Sequence, residues 1–366
     1  MKNNNSDEDR YICTHPFSWL EIQYHGNLYF CCDDWLNTKI GSLSEESLAS
    51  IWNNEKAVKI RKSILDGSFT YCNKALCPFL NTKTGPVMKI SDVVSHEIRE
   101  AMHNNKTTLD YFPKELNFTY DRSCNLACPT CRDSFIMAKG EDKEIVDRVT
   151  EKIIKEALPF AEKIILLGSG DPFASPSSRD IIRSIDPKKM DQLKHIHLFS
   201  NAQLWTEKNW AKIKNIHPLV KTAEISIDAA TAETYAINRR GGNFDKLLDN
   251  LSFISTLPIS VQINFVVQEN NYREMPAFIE IGQKHGFDIY FSSIVNWGTF
   301  SDKEFRRRAV HLPEHPKHNK LKKLLQDRMF RQKDVSIGNL TGILTEKVSI
   351  KQRLIRTKNS FSKDYV

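Results

Sequence analysis

From about residue 116 onward the hydrophobic positions follow two alternating periods. Short runs rich in β-branched and aromatic residues, at 116–120, 164–167, 196–199, 223–227, 261–267 and 289–291, read as strands. Between them the apolar residues recur at helical spacing. Ile145, Val149, Ile153 and Ala157 come every four residues, Trp210, Ile213 and Ile216 every three, and Leu247, Leu248, Leu251 and Ile254 share one face. Strand and helix alternating at about thirty residues per unit imply parallel strands joined by crossover helices. The six strand runs are too few for a closed eightfold barrel. The expectation is therefore an α/β fold, a partial (β/α)6 TIM-like barrel of parallel strands over residues 115–300. A flat doubly wound sheet has the same periodicity and stands as the structural alternative.

The first ninety residues follow neither rhythm for long. Residues 21–23 and 27–30 predict a hairpin around His25 and Gly26. A helix follows with Leu48, Ile51 and Trp52 on one face, then a second over 57–65 that stops at Gly67. Trp19, Trp35 and Tyr24 are expected to supply a small core. So few apolar residues make a small α+β module that needs a staple, and a metal is one. The expected organisation is this cysteine module at 1–90, a helical connector at 91–114, the barrel at 115–300 and a C-terminal extension at 301–366. In the extension, His311, His315 and His318 sit in a proline-rich turn and are expected in surface or packing roles. Glu269, Asn270 and Asn271 close the fifth strand, either as a turn or in contact with a ligand.

Charge changes the picture little. The 366-residue chain carries 52 basic and 45 acidic residues, a net +7, with a late concentration at Lys347, Lys351, Arg353, Arg356 and Lys358. No nucleic-acid-binding pattern accompanies it, so a solvated basic tail is expected rather than a nucleic-acid partner. Residues 1–10 are polar and acidic, unlike a secretory signal, and no apolar run reaches the roughly 20 residues of a membrane span. A cytoplasmic protein is expected, and that context turns its eight cysteines from disulfide candidates into metal ligands. Cys13, Cys31, Cys32, Cys72 and Cys77 lie early, Cys124, Cys128 and Cys131 form a tight run, and none follows. Two metal sites are the natural reading.

The run Cys124-x3-Cys128-x2-Cys131 lies on a loop directly after a predicted strand, where the active face of a barrel forms. Three thiolates at that spacing can hold three corners of a [4Fe–4S] cube and leave the fourth iron open. A structural zinc site would want four closed ligands, and no histidine is near.

The spacing resembles the hallmark of the radical S-adenosylmethionine (SAM) superfamily, and later segments resemble its other motifs in order. Gly168, Ser169, Gly170 and Asp171 follow the second strand like that family's glycine-rich turn, whose backbone and acid bind the SAM amino group. Asn201 follows the third. Ser226 and Asp228 end the fourth, with Tyr235 and Arg239 beyond, like a segment whose serine reaches the SAM ribose and whose arginine pairs with its carboxylate. Thr130 stands where the family often has an aromatic residue, and Ser169 and Asp171 stand where Gly and Glu are commoner. The resemblance implies a [4Fe–4S] cluster with SAM and a one-electron reductant such as flavodoxin or ferredoxin. It also implies a 5′-deoxyadenosyl radical that takes hydrogen from a substrate for oxidation, epimerisation or cross-linking.

The early cysteines form a second pattern. Twelve residues lie between Cys13 and Gly26, four between Gly26 and Cys31, and four between Cys72 and Cys77, with Ile40, Gly41, Ser42 and Leu43 leading to Ile51 and Trp52. This resembles the SPASM or twitch module of radical SAM maturases, here ahead of the barrel. It implies an auxiliary [4Fe–4S] cluster on Cys13, Cys31, Cys72 and Cys77, with Cys32 as the alternative to Cys31 and a four-cysteine zinc site as the alternative to the cluster. Relatives with this module act on peptides, sugars or aminocyclitols. With the first ninety residues given to cysteines, no leader-binding domain is expected in them, and the expectation is a small polar or carbohydrate-like substrate, or a peptide whose leader is bound by a partner protein. A non-catalytic iron–sulfur or zinc protein that retains the fold is the alternative to an enzyme.

Overall fold

The computed structural model describes residues 8–166 and 168–344, and the basic positions between 347 and 358 lie outside them. The described chain divides into two compact units. One holds the residues up to Arg122 with Ala138–His197 and Asn215–Leu219; the other holds Ser123–Met137, Leu198–Lys214 and the residues from Val220 on.

The first unit contains β1 (Tyr11–Cys13), β2 (Trp19–Ile22), β3 (Asn27–Tyr29), β4 (Gly41–Ser42), β5 (Val87–Lys89), β6 (Glu115–Phe118), β7 (Lys163–Leu166) and the start of β8 (His195–Ser200). β1 and β5 form a separate antiparallel pair, with Cys13 opposite Val87. β2, β3 and β4 form an antiparallel meander, and β2 also pairs in parallel with β6, Ile22 opposite Phe118. β6 and β7 are parallel in turn. The hairpin of the cysteine module thus continues the sheet of the first strand–helix repeats. Its turn needs Gly26, whose φ is +73° and where a Cβ would meet Val149 Cγ2 at 2.7 Å. Ser47 and Asn54 cap the helices Leu48–Trp52 and Glu55–Leu65 by accepting from the amides of Ser50 and Ala57.

The second unit is built on β9 (Val220–Ser226), β10 (Ser260–Val267), β11 (Asp288–Ser293) and β12 (Val335–Ser336), all parallel neighbours in that order. Crossover helices Phe244–Ile254 and Met275–His285 connect them. The class is the α/β strand–helix alternation of a partial barrel with a cysteine-rich N-terminal module. One face of this sheet is apolar: Ala223, Ile225, Ile263, Phe265, Ile289 and Phe291 are buried, and Phe278 packs on Phe265 and Phe291 at 4.8 and 5.7 Å. The other face is polar. Register sets Glu224 beside Gln262, Ser226 beside Asn264 and Asn264 beside Tyr290. Parallel strands covered on both faces read as continuous apolar runs. These polar residues are half-buried, and the 3-10 helix Gly338–Leu340 packs against the Tyr290 hydroxyl.

All six strands expected from 116 onward form, with ends displaced by a few residues; residue 167, the expected end of the second, lies outside the described residues. Three details differ. The small core of the cysteine module is Phe17, Leu20, Ile22, Leu28, Phe30 and Trp52, all nearly inaccessible. Trp19, Trp35 and Tyr24 stay half-buried; Tyr24 donates its hydroxyl to Asp142 at 2.8 Å. The helix Gly140–Lys152 passes into a π turn over Ile153–Ala157; Val149, Ile153 and Ala157 are buried as the spacing predicts, while Ile145 is only half-buried and Val146 takes the core position before them. The short β5 and β12 come from stretches read as loop or connector. Among the described residues no helix is long and apolar enough to cross a membrane.

Gly26→Ala should destabilise the protein by about 1–3 kcal/mol, since it adds both backbone strain and a clash with Val149. A lowered urea midpoint at unchanged slope checks this, and an unchanged midpoint contradicts it.

Candidate functional site: two thiol groups

In the second unit, the loop after β6 is fixed at both ends by backbone bonds. The Cys124 amide donates to the Ile136 carbonyl at 2.9 Å, and the Ala127 amide to the Arg240 carbonyl at 3.0 Å. The Cys131 and Arg132 amides both donate to the Cys128 carbonyl at 2.9 Å, closing a tight turn. Cys124 and Cys128 are buried and Cys131 is exposed. Each sulfur faces a nitrogen donor: Asn201 Nδ2 lies 3.6 Å from Cys124 Sγ, Arg239 Nη1 3.6 Å from Cys128 Sγ, and Arg132 Nη2 3.4 Å from Cys131 Sγ. Donors aimed at sulfur favour the thiolate, the form that ligates metal. This donor set fits a cluster with three protein thiolates.

The residues expected around SAM in this unit cluster there too. Asp228 is buried at the end of β9 with φ +59°, a conformation uncommon outside glycine. Its carbonyl accepts from Asn238 Nδ2 at 2.9 Å and Asn271 Nδ2 at 3.0 Å, and its Oδ1 accepts from the Val266 amide at 2.7 Å. Its Oδ2 pairs with Arg239 Nη2 at 2.7 Å. Burial pushes the Asp228 carboxyl up and Arg239 opposes it. Burial also works against the charge on Arg239, but Asp228 and the Cys128 thiol raise its pKa on balance. The arginine stays charged, and its buried Nε–H has no hydrogen-bond partner. Asn201 bonds Asn125 Oδ1 at 3.0 Å, and Gln203 bonds the hydroxyl of buried Tyr235 at 3.0 Å. Gly241, φ +92°, lies against the Phe135 ring, where a Cβ would come within 2.6 Å.

Gly168, Ser169, Gly170 and Asp171 belong to the first unit. Ser169 Oγ donates to the Thr119 carbonyl. The buried Asp171 accepts from the Phe173 amide at 3.0 Å and, through its carbonyl, from the amides of Ala174 and Ser175 at 3.0 and 2.9 Å. Asp171 thus shapes the turn into the helix Pro176–Ser184. Ser226 lies at the end of β9 on the polar face. Two of the fifth-strand candidates serve the turn: Asn271 holds Asp228 and Val266, and Glu269 pairs with Lys317. His315 packs, with Nε2 on the Arg307 carbonyl at 3.0 Å.

The second thiol group lies wholly in the first unit. Cys13, Cys31, Cys72 and Cys77 line one cleft of about 370 Å³ of atom-free space, part of it open to solvent, with Pro16, Phe30, Trp35, Ile64 and Phe79 among its walls. Cys32 is not in that lining; its surroundings are the acids Glu21, Asp33 and Asp34. Burial raises the Cys13 thiol to about 12 and Cys72 to about 11, with neighbouring thiols adding to it. Among the described residues no three His, Cys, Asp or Glu side chains are drawn together around a single-ion position. Four thiols around a cleft suit a cube, whose corners stand farther apart than the ligands of one ion.

The reading of the sequence missed Arg132, adjacent to a named ligand, and Glu224. Glu224 was visible in β9, where Thr222, Glu224 and Ser226 alternate with Ala223 and Ile225. Its carboxylate accepts from Asn264 Nδ2 at 2.7 Å, and Gln262 Nε2 donates to Asn264 Oδ1 at 2.8 Å. Burial raises the Glu224 carboxyl, with Asn264 opposing.

The sequence matches the model of the radical SAM superfamily over residues 120–281 and that of the SPASM iron–sulfur cluster-binding domain over residues 13–78. It is 24% identical over 237 residues to the "Probable GTP 3′,8-cyclase" of Saccharolobus solfataricus, covering 61% of this chain and 70% of that protein. It is 26% identical over 197 residues to the GTP 3′,8-cyclase of Limosilactobacillus fermentum, covering 52% of this chain and 56% of that one. Among solved structures it is similar to Streptococcus suis SuiB bound to the precursor peptide SuiA, at 14% identity and a TM-score of 0.44 over 85% of this chain and 70% of that chain.

In metal-free protein at pH 8, Cys13 and Cys72 should alkylate at least ~100-fold more slowly than the exposed Cys131, because burial keeps them protonated. Peptide mapping after timed iodoacetamide labelling checks this. Equal rates contradict the buried thiol cleft.

Proposed function

Residues 120–281 belong to the radical SAM superfamily and residues 13–78 are a SPASM iron–sulfur cluster-binding domain, and from that premise we propose that this radical SAM enzyme oxidises a small polar substrate. Cys124, Cys128 and Cys131 would hold a [4Fe–4S] cluster, which would pass one electron from an external reductant to SAM, giving methionine and a 5′-deoxyadenosyl radical that takes a substrate hydrogen. Cys13, Cys31, Cys72 and Cys77 would hold a second cluster with four protein thiolates, which would supply a one-electron acceptor for the substrate radical.

The chain's own residues position the reactants. Arg239 keeps its charge through Asp228 and has an unpartnered Nε–H to give, which suits the SAM carboxylate. Ser226 suits the ribose hydroxyls, and Asn201 braces the Cys124 end of the loop. The observation that carries this reading is the nitrogen donor facing each of the three sulfurs.

Two features support a small polar substrate. Glu224, Gln262, Asn264, Ser226 and Tyr290 share one sheet face and offer hydroxyl, amide and carboxyl groups one pleat from the SAM end. The curated relatives are named for a reaction of GTP, although the chain spans only 56–70% of their length. A cytoplasmic setting, supported by eight free cysteines, would supply a flavodoxin- or ferredoxin-type reductant.

Reconstituted protein given SAM and dithionite without oxygen should form 5′-deoxyadenosine, and Cys128→Ser should lower the yield at least ~1000-fold. No 5′-deoxyadenosine from protein with a full complement of iron contradicts the reading. GTP is the first substrate probe: stimulation that Glu224→Gln abolishes supports the polar face as the substrate site. Stimulation by peptides alone overturns the small-substrate assignment.

A further inference from the structure

Arg61 is fully buried in the helix Glu55–Leu65, and among the described residues no carboxylate pairs with it. Its hydrogen bonds all go to neutral oxygens: Nε to the Pro16 carbonyl at 2.8 Å, and Nη1 to Asn53 Oδ1 and the Thr107 carbonyl, each at 3.0 Å. Nη2 is buried with no partner. The guanidinium lies over Trp52 at 4.4 Å and Phe30 at 5.2 Å from the ring centroids. Burial lowers its pKa to about 9, with Tyr111 opposing, so it remains charged at neutral pH.

A buried cation without an anion is costly, and proteins ordinarily pair it. Carbonyls and rings soften that cost without cancelling the charge. The missing anion has an evident place. Pro16, whose carbonyl Arg61 holds, and Phe30, on which it stacks, both line the cleft of Cys13, Cys31, Cys72 and Cys77; so does Ile64, one turn further along the same helix. A cluster held by four thiolates carries net negative charge that grows by one on reduction, and nearby charge is among the determinants of its potential.

Building on the cluster assignment for this cleft, we infer that Arg61 is the buried counter-ion of the N-terminal cluster, a positioning residue that raises its reduction potential and makes it an electron acceptor. The guanidinium stabilises the reduced cluster more than the oxidised one, because the reduced cluster is the more negative. It acts from behind the cleft wall, so the effect is electrostatic and does not need a bond to sulfur. A merely structural clamp on Pro16 and Thr107 would leave the potential where it is.

The test uses full-length protein with Cys124→Ala, Cys128→Ala and Cys131→Ala, which leaves only the N-terminal cluster, titrated potentiometrically and followed by electron paramagnetic resonance. Adding Arg61→Met should shift the oxidised-to-reduced ratio at fixed potential at least tenfold toward oxidised, about 59 mV for one electron. Arg61→Lys, which keeps the charge, should stay within about threefold of the parent. Asn53→Asp, which places a carboxylate against Arg61 without removing it, should shift the ratio in the same direction as Arg61→Met and keeps the test decisive if that variant does not fold. A cluster of normal iron content whose potential is unmoved by Arg61→Met, or by Asn53→Asp, overturns the role of Arg61 and leaves the cluster assignment standing. A parent protein that takes up no iron overturns the cluster assignment, and the counter-ion with it.

Discussion

The buried pair of Asp228 and Arg239 is the constraint on which the catalytic half depends. Asp228 adopts a left-handed backbone at the end of β9, held there by Asn238 and Asn271 on its carbonyl and by the Val266 amide on its carboxylate. Three partners therefore fix this one residue, two through its carbonyl and one through its carboxylate. That side chain fixes the Arg239 guanidinium, which in turn reaches the Cys128 sulfur. A strained residue persists only where its surroundings over-determine it, and such residues gather at functional sites. Removing the carboxylate would leave a buried arginine uncompensated beside a thiol that needs it, so loop geometry and sulfur electrostatics would fail together.

The N-terminal half solves a different problem. Its core is a handful of side chains around Phe17, Leu20, Phe30 and Trp52, and its strands are two to four residues long. Such a module gains much from a group that ties distant segments together. Cys13, Cys31, Cys72 and Cys77 bring a strand, the end of a hairpin and a loop to one cleft. The same logic accounts for Arg61, a charge that has no counterpart until an anionic group enters beside it.

Much of this was legible in the sequence for identifiable reasons. The six strands after residue 116 are each long enough, or apolar enough, to register against helices of period near four. The thiol loop announced itself by spacing alone. Gly26 and Gly41 marked places where a side chain would strike Val149 or Ile51. What stayed hidden depended on distant partners. β5 is three residues whose only sheet contact is with β1 more than seventy positions earlier, and β12 is two residues on the edge of β11. The glycine spacing favoured Cys31 over Cys32 without excluding either; in the fold Cys31 lines the cleft and Cys32 lies among acids. Nothing local to Arg61 in the sequence shows that it is fully enclosed.

The central claim is that two separate thiol groups each hold an iron–sulfur cluster, and metal content tests it most directly. Iron and acid-labile sulfide should be counted per chain after anaerobic reconstitution, in the wild type and in a variant with Cys13, Cys31, Cys72 and Cys77 replaced by alanine. The account predicts about eight irons and eight sulfides in the wild type and about four of each in the variant. About four irons with one zinc in the wild type would contradict the second cluster and reduce the N-terminal cysteines to a structural site. Zinc alone would contradict the account altogether.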